Sequence, residues 1–234
     1  MPPFFFVGVC LPADVWFFLH FHGECDTLVL SEKERRIRMK KLLLTGFDPF
    51  GGETVNPAWE AVQRMPDRVG DYEIFRLMVP TVFGLAGETV ISEAERLHPD
   101  VVLAIGQAGG RSAVTPELAA INHRYARIPD NAGQVFYDEP CVKGAPNAYF
   151  SSLPVRAMAE AITASGLPGA VSYSAGAFVC NDLFYALARH FDGSSVRVGF
   201  IHVPFLPEQA KNGAPSLPLE DIVRALTAAV EAIK

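Results

Sequence analysis

Short apolar runs alternate with stretches in which apolar residues recur every three or four positions. Leu42 to Phe47 is a largely apolar run stopped by Asp48-Pro49 and Gly51-Gly52, which reads as a strand buried on both faces. Tyr72 to Val79, Val101 to Ile105, Ala170 to Ser174 and Val196 to Val203 read as further strands. Between them the apolar spacing turns helical. Asn56-Pro57 opens a helix through Trp59, Ala61 and Val62, with proline in its first turn. Phe83 to Leu97, Pro154 to Ala164, Cys180 to Phe191 and Leu219 to Ile233 follow the same period. Alternating strands and helices predict a three-layer α/β/α sandwich with a mainly parallel central sheet, in one domain. Gly106 to Ser151 is too long for a plain connector, so function is expected there. Within it, Glu117 to Ile128 alternates loosely and Asp130-Asn131-Ala132-Gly133 reads as a turn. No internal repeat or low-complexity tract is present.

Residues 1–38 break this pattern. They carry Phe4-Phe5-Phe6 and Trp16-Phe17-Phe18-Leu19, then the charged run from Glu32 to Arg38. No basic residue precedes the first apolar run, and Pro12 and Asp14 interrupt the middle. Neither a signal peptide nor a membrane span fits. The expectation is an extraneous or mobile leader, with Met39 as the true start and 39–234 as the domain.

Composition narrows the partners. Half of the 234 residues are hydrophobic, enough for a sizeable core. A net charge of -6 gives no reason to expect nucleic acid or an anionic membrane. The four cysteines (Cys10, Cys25, Cys141, Cys180) form no CxxC pair and no dense framework. Reduced thiols and a cytoplasmic setting are expected. No HExxH, P-loop or EF-hand motif occurs, and neither metal nor cofactor is expected.

In an open α/β sheet, ligands bind beyond the carboxyl ends of the strands. Two reactive residues fall at such places. Cys180 stands where a glycine-containing turn enters a helix, and His202 stands where an apolar strand runs into a proline-rich loop. Each has a plainer reading as a core residue. Together they are the raw material of an activated thiolate. A helix N-terminus stabilises an anion by about 0.3–1 kcal/mol. One pKa unit is about 1.36 kcal/mol, so the dipole leaves a thiol mostly protonated and a basic partner is required. Cys141, in a polar loop stretch, reads as incidental. Glu117 is a possible third group to orient the imidazole; spacing alone does not single it out. A rate that rises with pH around neutrality is expected of such a pair.

Six stretches carry a resemblance: 41–52 (KLLLTGFDPFGG), 106–112 (GQAGGRS), 126–131 (ARIPDN), 144–150 (GAPNAYF), 174–181 (SAGAFVCN) and 199–204 (GFIHVP). In this order they resemble the pyroglutamyl-peptidase I (pyrrolidone-carboxylate peptidase) family of cysteine peptidases, from about Met39 to the C-terminus. The resemblance implies removal of an N-terminal pyroglutamyl residue from peptides, through a thioester acyl-enzyme. It implies Cys180 as nucleophile, His202 as general base then acid, and Glu117 as the acidic third member. It further implies that Phe47, Phe50 and Phe178 line a lactam pocket, with Gln107 beside it and Arg127 near the scissile carbonyl. It also implies a homotetramer. Leu118 and Ala119 depart from the family, which usually has a basic and then a branched apolar residue after the glutamate. That departure leaves the orientation of Glu117 open. The competing readings are a phosphorolytic nucleoside enzyme on a similar sandwich and a non-catalytic lactam-binding protein.

Overall fold

The computed structural model describes residues 39–234. The expected leader lies outside the described residues. In chain order the elements are β1 (Lys40–Phe47), α1 (Pro57–Arg64), β2 (Arg68–Val69), β3 (Tyr72–Val79) and α2 (Leu85–Leu97). There follow β4 (Val101–Gln107), β5 (Thr115–Pro116), β6 (Ala119–Ile121), β7 (Ala148–Phe150), α3 (Val155–Ala164), α4 (Val179–His190), β8 (Arg197–Val203) and α5 (Leu219–Glu231). The main sheet runs β2-β3-β1-β4-β8-β5, and β6 pairs with β7 separately. β3, β1, β4 and β8 are parallel; the short edge strands β2 and β5 are antiparallel.

The period-2 alternation of side chains sorts the core into two layers. Leu42, Leu44, Leu103, Ile105, Ile201 and Val203 pack under α1, α3 and α5. Leu43, Phe47, Val102, Ala104, Val198 and Phe200 pack under α2 and α4. His202, between Ile201 and Val203, therefore faces the α4 layer. Its ring lies 4.8 Å from that of Phe200.

The helix start at Asn56 is as the sequence indicates: its side chain accepts from Ala58 N at 3.0 Å, and Pro57 opens the first turn. The expected strand at Ala170–Ser174 does not form. Only two isolated parallel bridges occur there, Val114↔Gly169 and Glu117↔Ser172. Ala170 N donates to Val114 O, and Ser172 N donates to Pro116 O. The regular ladder would need an N–H from residue 116 between them, and proline has none.

The long excursion docks beside the end of β1. Asn131 Nδ2 donates to Asp48 Oδ1 and to Pro49 O. Asp130 closes the expected turn by accepting from Ala132 N and Gln134 N.

Candidate active site

Cys180 is the second residue of α4. The preceding cap residue, Phe178, is extended and offers no side-chain cap. The first backbone donor satisfied within the helix is Asp182 N, which reaches Phe178 O at 3.1 Å. The N–H groups of Val179, Cys180 and Asn181 therefore have no acceptor in the helix. The side chains that follow anchor this end firmly. Asn181 Nδ2 donates to Ile121 O (2.9 Å) and His123 O (3.0 Å), and its Oδ1 accepts from Ile121 N. Asp182 accepts from Gly84 N (2.8 Å) and Arg124 Nε (2.6 Å).

The second half of the site comes from β8 and β5. His202 Nδ1 lies 2.6 Å from Glu117 Oε1. His202 is 3% exposed and Glu117 0%. The carboxylate accepts a hydrogen bond from Nδ1–H, which keeps the proton on Nδ1 and leaves Nε2 as the acceptor. Arg111 Nη1 donates to the same Glu117 oxygen at 2.6 Å and also to Thr115 Oγ1. The backbone holds Glu117 as well: its N–H donates to Phe200 O, and the flanking Leu118 N donates to Ser172 O. These contacts orient the carboxylate without help from the side chains of Leu118 and Ala119.

Gly106 joins the two halves. It is the register partner of His202 across β4 and β8. A Cβ built on Gly106 would lie 2.9 Å from Cys180 Sγ and 2.8 Å from the Phe200 ring. The sulfur thus sits over Gly106, and Gly106 lies one strand spacing (about 4.8 Å) from His202 on β8. Only glycine allows this approach. No Sγ–imidazole hydrogen bond is present among the described residues, as is common before substrate binds.

Burial dominates the electrostatics. It pushes the Cys180 thiol up to about 12; the Glu117 carboxylate adds to the rise and Arg111 opposes it. Burial also lowers His202, and Glu117 only partly restores it. Glu117 is lowered on balance: burial acts against ionisation, but the hydrogen bond with His202, helped by Ser172 and the Arg111 charge, outweighs it. The resting site is therefore a Glu117–Arg111 ion pair beside a neutral imidazole and a neutral thiol. The helix-dipole argument from sequence expected a lower thiol value. Burial of the thiol is the largest cause of the rise, and a helix start returns only about 0.3–1 kcal/mol to a thiolate.

The remaining sequence candidates separate. Phe47 is 2% exposed and packs 6.4 Å from Phe200. It is a core side chain beneath the site rather than an open wall. Phe50 and Phe178 are half-buried and face each other, with ring centroids 6.2 Å apart. A flat ring between them needs two contacts of about 3.5–4 Å, so a ligand would enter by parting the pair. Phe178 also meets Phe83 edge-on at 5.3 Å, and Phe83 meets Phe136 at 4.8 Å. Gln107, at the end of β4, accepts from Gln209 Nε2 at 3.2 Å. Arg127 is exposed on the excursion loop and makes no ion pair or hydrogen bond among the described residues. The guanidinium beside Glu117 is that of Arg111, which sequence reasoning passed over. Its glycine-rich setting after β4 was the only signal.

Residues 40–234 match the family described as pyroglutamyl peptidase. The chain is 53% identical over 197 residues to the pyrrolidone-carboxylate peptidase of Levilactobacillus brevis, covering 82% of this chain and 97% of that one. It is 50% identical over 196 residues to the enzyme of that name from Enterococcus faecalis, covering 82% and 92%. Its fold is similar to the crystal structure of Bacillus amyloliquefaciens pyroglutamyl peptidase I, with TM-score 0.80, 47% identity and coverage of 83% and 96%. Pyrrolidone carboxyl peptidase from Thermococcus litoralis superposes with TM-score 0.79 at 34% identity, covering 83% and 93%. By sequence and by fold, the chain belongs to the pyroglutamyl peptidase family.

Proposed function

We propose that this cysteine peptidase removes the N-terminal pyroglutamyl residue from peptides, with Cys180 as nucleophile, His202 as base then acid, and Glu117 as the orienting carboxylate. The observation that carries the reading is the 2.6 Å His202–Glu117 contact beside a cysteine at an uncapped helix start. The identity of about one half to named pyrrolidone-carboxylate peptidases supports the same chemistry. Nothing in these relatives favours a phosphorolytic enzyme or a non-catalytic binder.

The steps follow from the resting charges. Cys180 passes its proton to His202 Nε2 as sulfur attacks the carbonyl carbon. The new imidazolium is stabilised by Glu117. The oxyanion is met by free N–H groups at the start of α4, which are worth most where water is excluded. His202 then protonates the departing amine, leaving a thioester on Cys180. It next takes a proton from water, which attacks the thioester; the C–S bond breaks, His202 returns the proton to the Cys180 sulfur, and pyroglutamate is released. The lactam is held by Phe50 and Phe178 and by the end of β4. Pairing between β1 and β4 stops at Gly46↔Ile105, so Gln107 has a strand partner only on the β8 side. Its peptide group is suited to the N–H and C=O of a lactam. Arg127 would contribute only if its loop folds in over the peptide.

The test is chemical trapping. Acid quench during turnover of an activated pyroglutamyl ester should leave a pyroglutamyl thioester on the peptide containing Cys180. Acylation at Cys141 instead would overturn the assignment.

The pH profile has a definite sign. Protonated His202 cannot accept the thiol proton, so kcat/KM falls as pH falls through the His202 pKa. Burial lowers that pKa, so the acid limb should have its midpoint below the ordinary histidine value of about 6.5. The raised thiol leaves no limb of its own near neutrality. A plateau through pH 7 to 9 is expected, which moves the rise expected from sequence to the acid side. A midpoint above 7 would contradict the neutral resting pair.

The proposal extends to assembly and location. A homotetramer follows the family resemblance. The free thiols Cys141 and Cys180 suit a cytoplasmic setting. Among the described residues no helix is long and apolar enough to cross a membrane.

A further inference from the structure

The loop after β8 carries a buried side chain with no place in the chemistry above. Gln209 is 5% exposed. Its Oε1 accepts from Leu206 N at 3.1 Å. Its Nε2 donates to Val55 O at 3.3 Å and to Gln107 Oε1 at 3.2 Å. The orientation of the amide is unambiguous. Leu206 N–H can only donate and Val55 C=O can only accept, so oxygen and nitrogen have one arrangement.

These partners lie on three separate segments. Val55 ends the loop that carries Phe50, Gln107 ends β4, and Leu206 belongs to the loop that follows His202. All three lie past or at the carboxyl ends of β1, β4 and β8. Buried polar groups held at both ends have little freedom to move.

We infer that Gln209 is a positioning residue that clamps the Phe50 loop to the end of β4 and so sets the width and polarity of the lactam slot. The inference rests on the proposed function and adds the residue that shapes its substrate site. Among the described residues the Gln209 side chain forms no hydrogen bond to Cys180 or His202, so it should act on ring binding and not on bond cleavage.

Two variants test it. Gln209→Leu removes all three hydrogen bonds at similar volume. Gln209→Glu keeps the bond from Leu206 N–H and removes the donor. Both should raise KM for a pyroglutamyl amide about tenfold, the factor set by one well-made hydrogen bond, with kcat within about twofold. A second readout needs no turnover: 2-pyrrolidone, the bare five-membered lactam, should protect Cys180 from alkylation. The concentration giving half protection should rise about tenfold in each variant, while the unprotected alkylation rate stays the same. Unchanged KM and unchanged protection would overturn the clamp. So would KM, kcat and alkylation all shifting together, which marks a general loss of structure. If the wild-type protein releases no amine from pyroglutamyl substrates, the proposed function fails. The protection assay then still decides Gln209, and absence of protection in the wild type overturns the slot and the clamp together.

Discussion

Cys180→Ala should lower kcat for pyroglutamyl amide hydrolysis about 10⁴- to 10⁶-fold, the range seen when a covalent nucleophile is removed from an intact site. Among the described residues only this thiol lies over Gly106, next to the strand that carries His202. Cys141 cannot replace it. That thiol is turned toward Ile121 O and Asn181 Nδ2, and no hydrogen bond or ion pair joins it to His202 or Glu117 among the described residues. The fold should survive, because alanine removes one sulfur from a half-buried position while Asn181 and Asp182 still anchor α4. A thermal unfolding midpoint within a few degrees of wild type, combined with lost amine release, is the expected pair of results. Residual activity above one part in a hundred would mean that another group attacks the carbonyl.

Glu117→Gln should be nearly as damaging and, unlike the cysteine change, should also weaken the fold. One carboxylate oxygen serves both Arg111 and His202. A neutral amide cannot stabilise the imidazolium that forms when the thiol gives up its proton. An analogous change in a serine protease triad costs about 10⁴ in kcat, and a loss of about 10³–10⁴ is expected here. Breaking a buried ion pair from one side typically costs about 3–5 kcal/mol. The lower end applies, since the Arg111 side chain is 30% exposed and water screens part of its charge. Single-turnover kinetics and urea unfolding of the same preparation would separate the two effects. A variant that loses stability but keeps kcat would show that Glu117 is structural alone.

Much of the fold was legible because its signals are local. A buried parallel strand is a run of five to eight apolar residues wherever it pairs, and Asn56-Pro57 caps a helix through groups two residues apart. The ends of β8 and α4 could be read the same way, which is how His202 and Cys180 stood out. Glu117 differed. A glutamate after a proline carries no mark of burial until the backbone of β8 and the guanidinium of Arg111 are beside it. The Ala170–Ser174 segment was misread for a related reason. Its ladder fails at Pro116, more than fifty residues earlier, and no local window contains both. Phe47 and Phe50 sit three residues apart in the same motif, yet one lies under Phe200 and the other faces Phe178. The end of β1 separates them.

What the chain determined by itself was the kind of each element and the chemistry available at its ends, because side-chain period and capping act within a few residues. Tertiary structure alone decided that Gly106 faces His202, that Glu117 is shared between an imidazole and a guanidinium, and that the thiol rests neutral. Those outcomes depend on strand register and on the water removed when two layers of helices close over the sheet, and neither is a property of any short stretch of sequence.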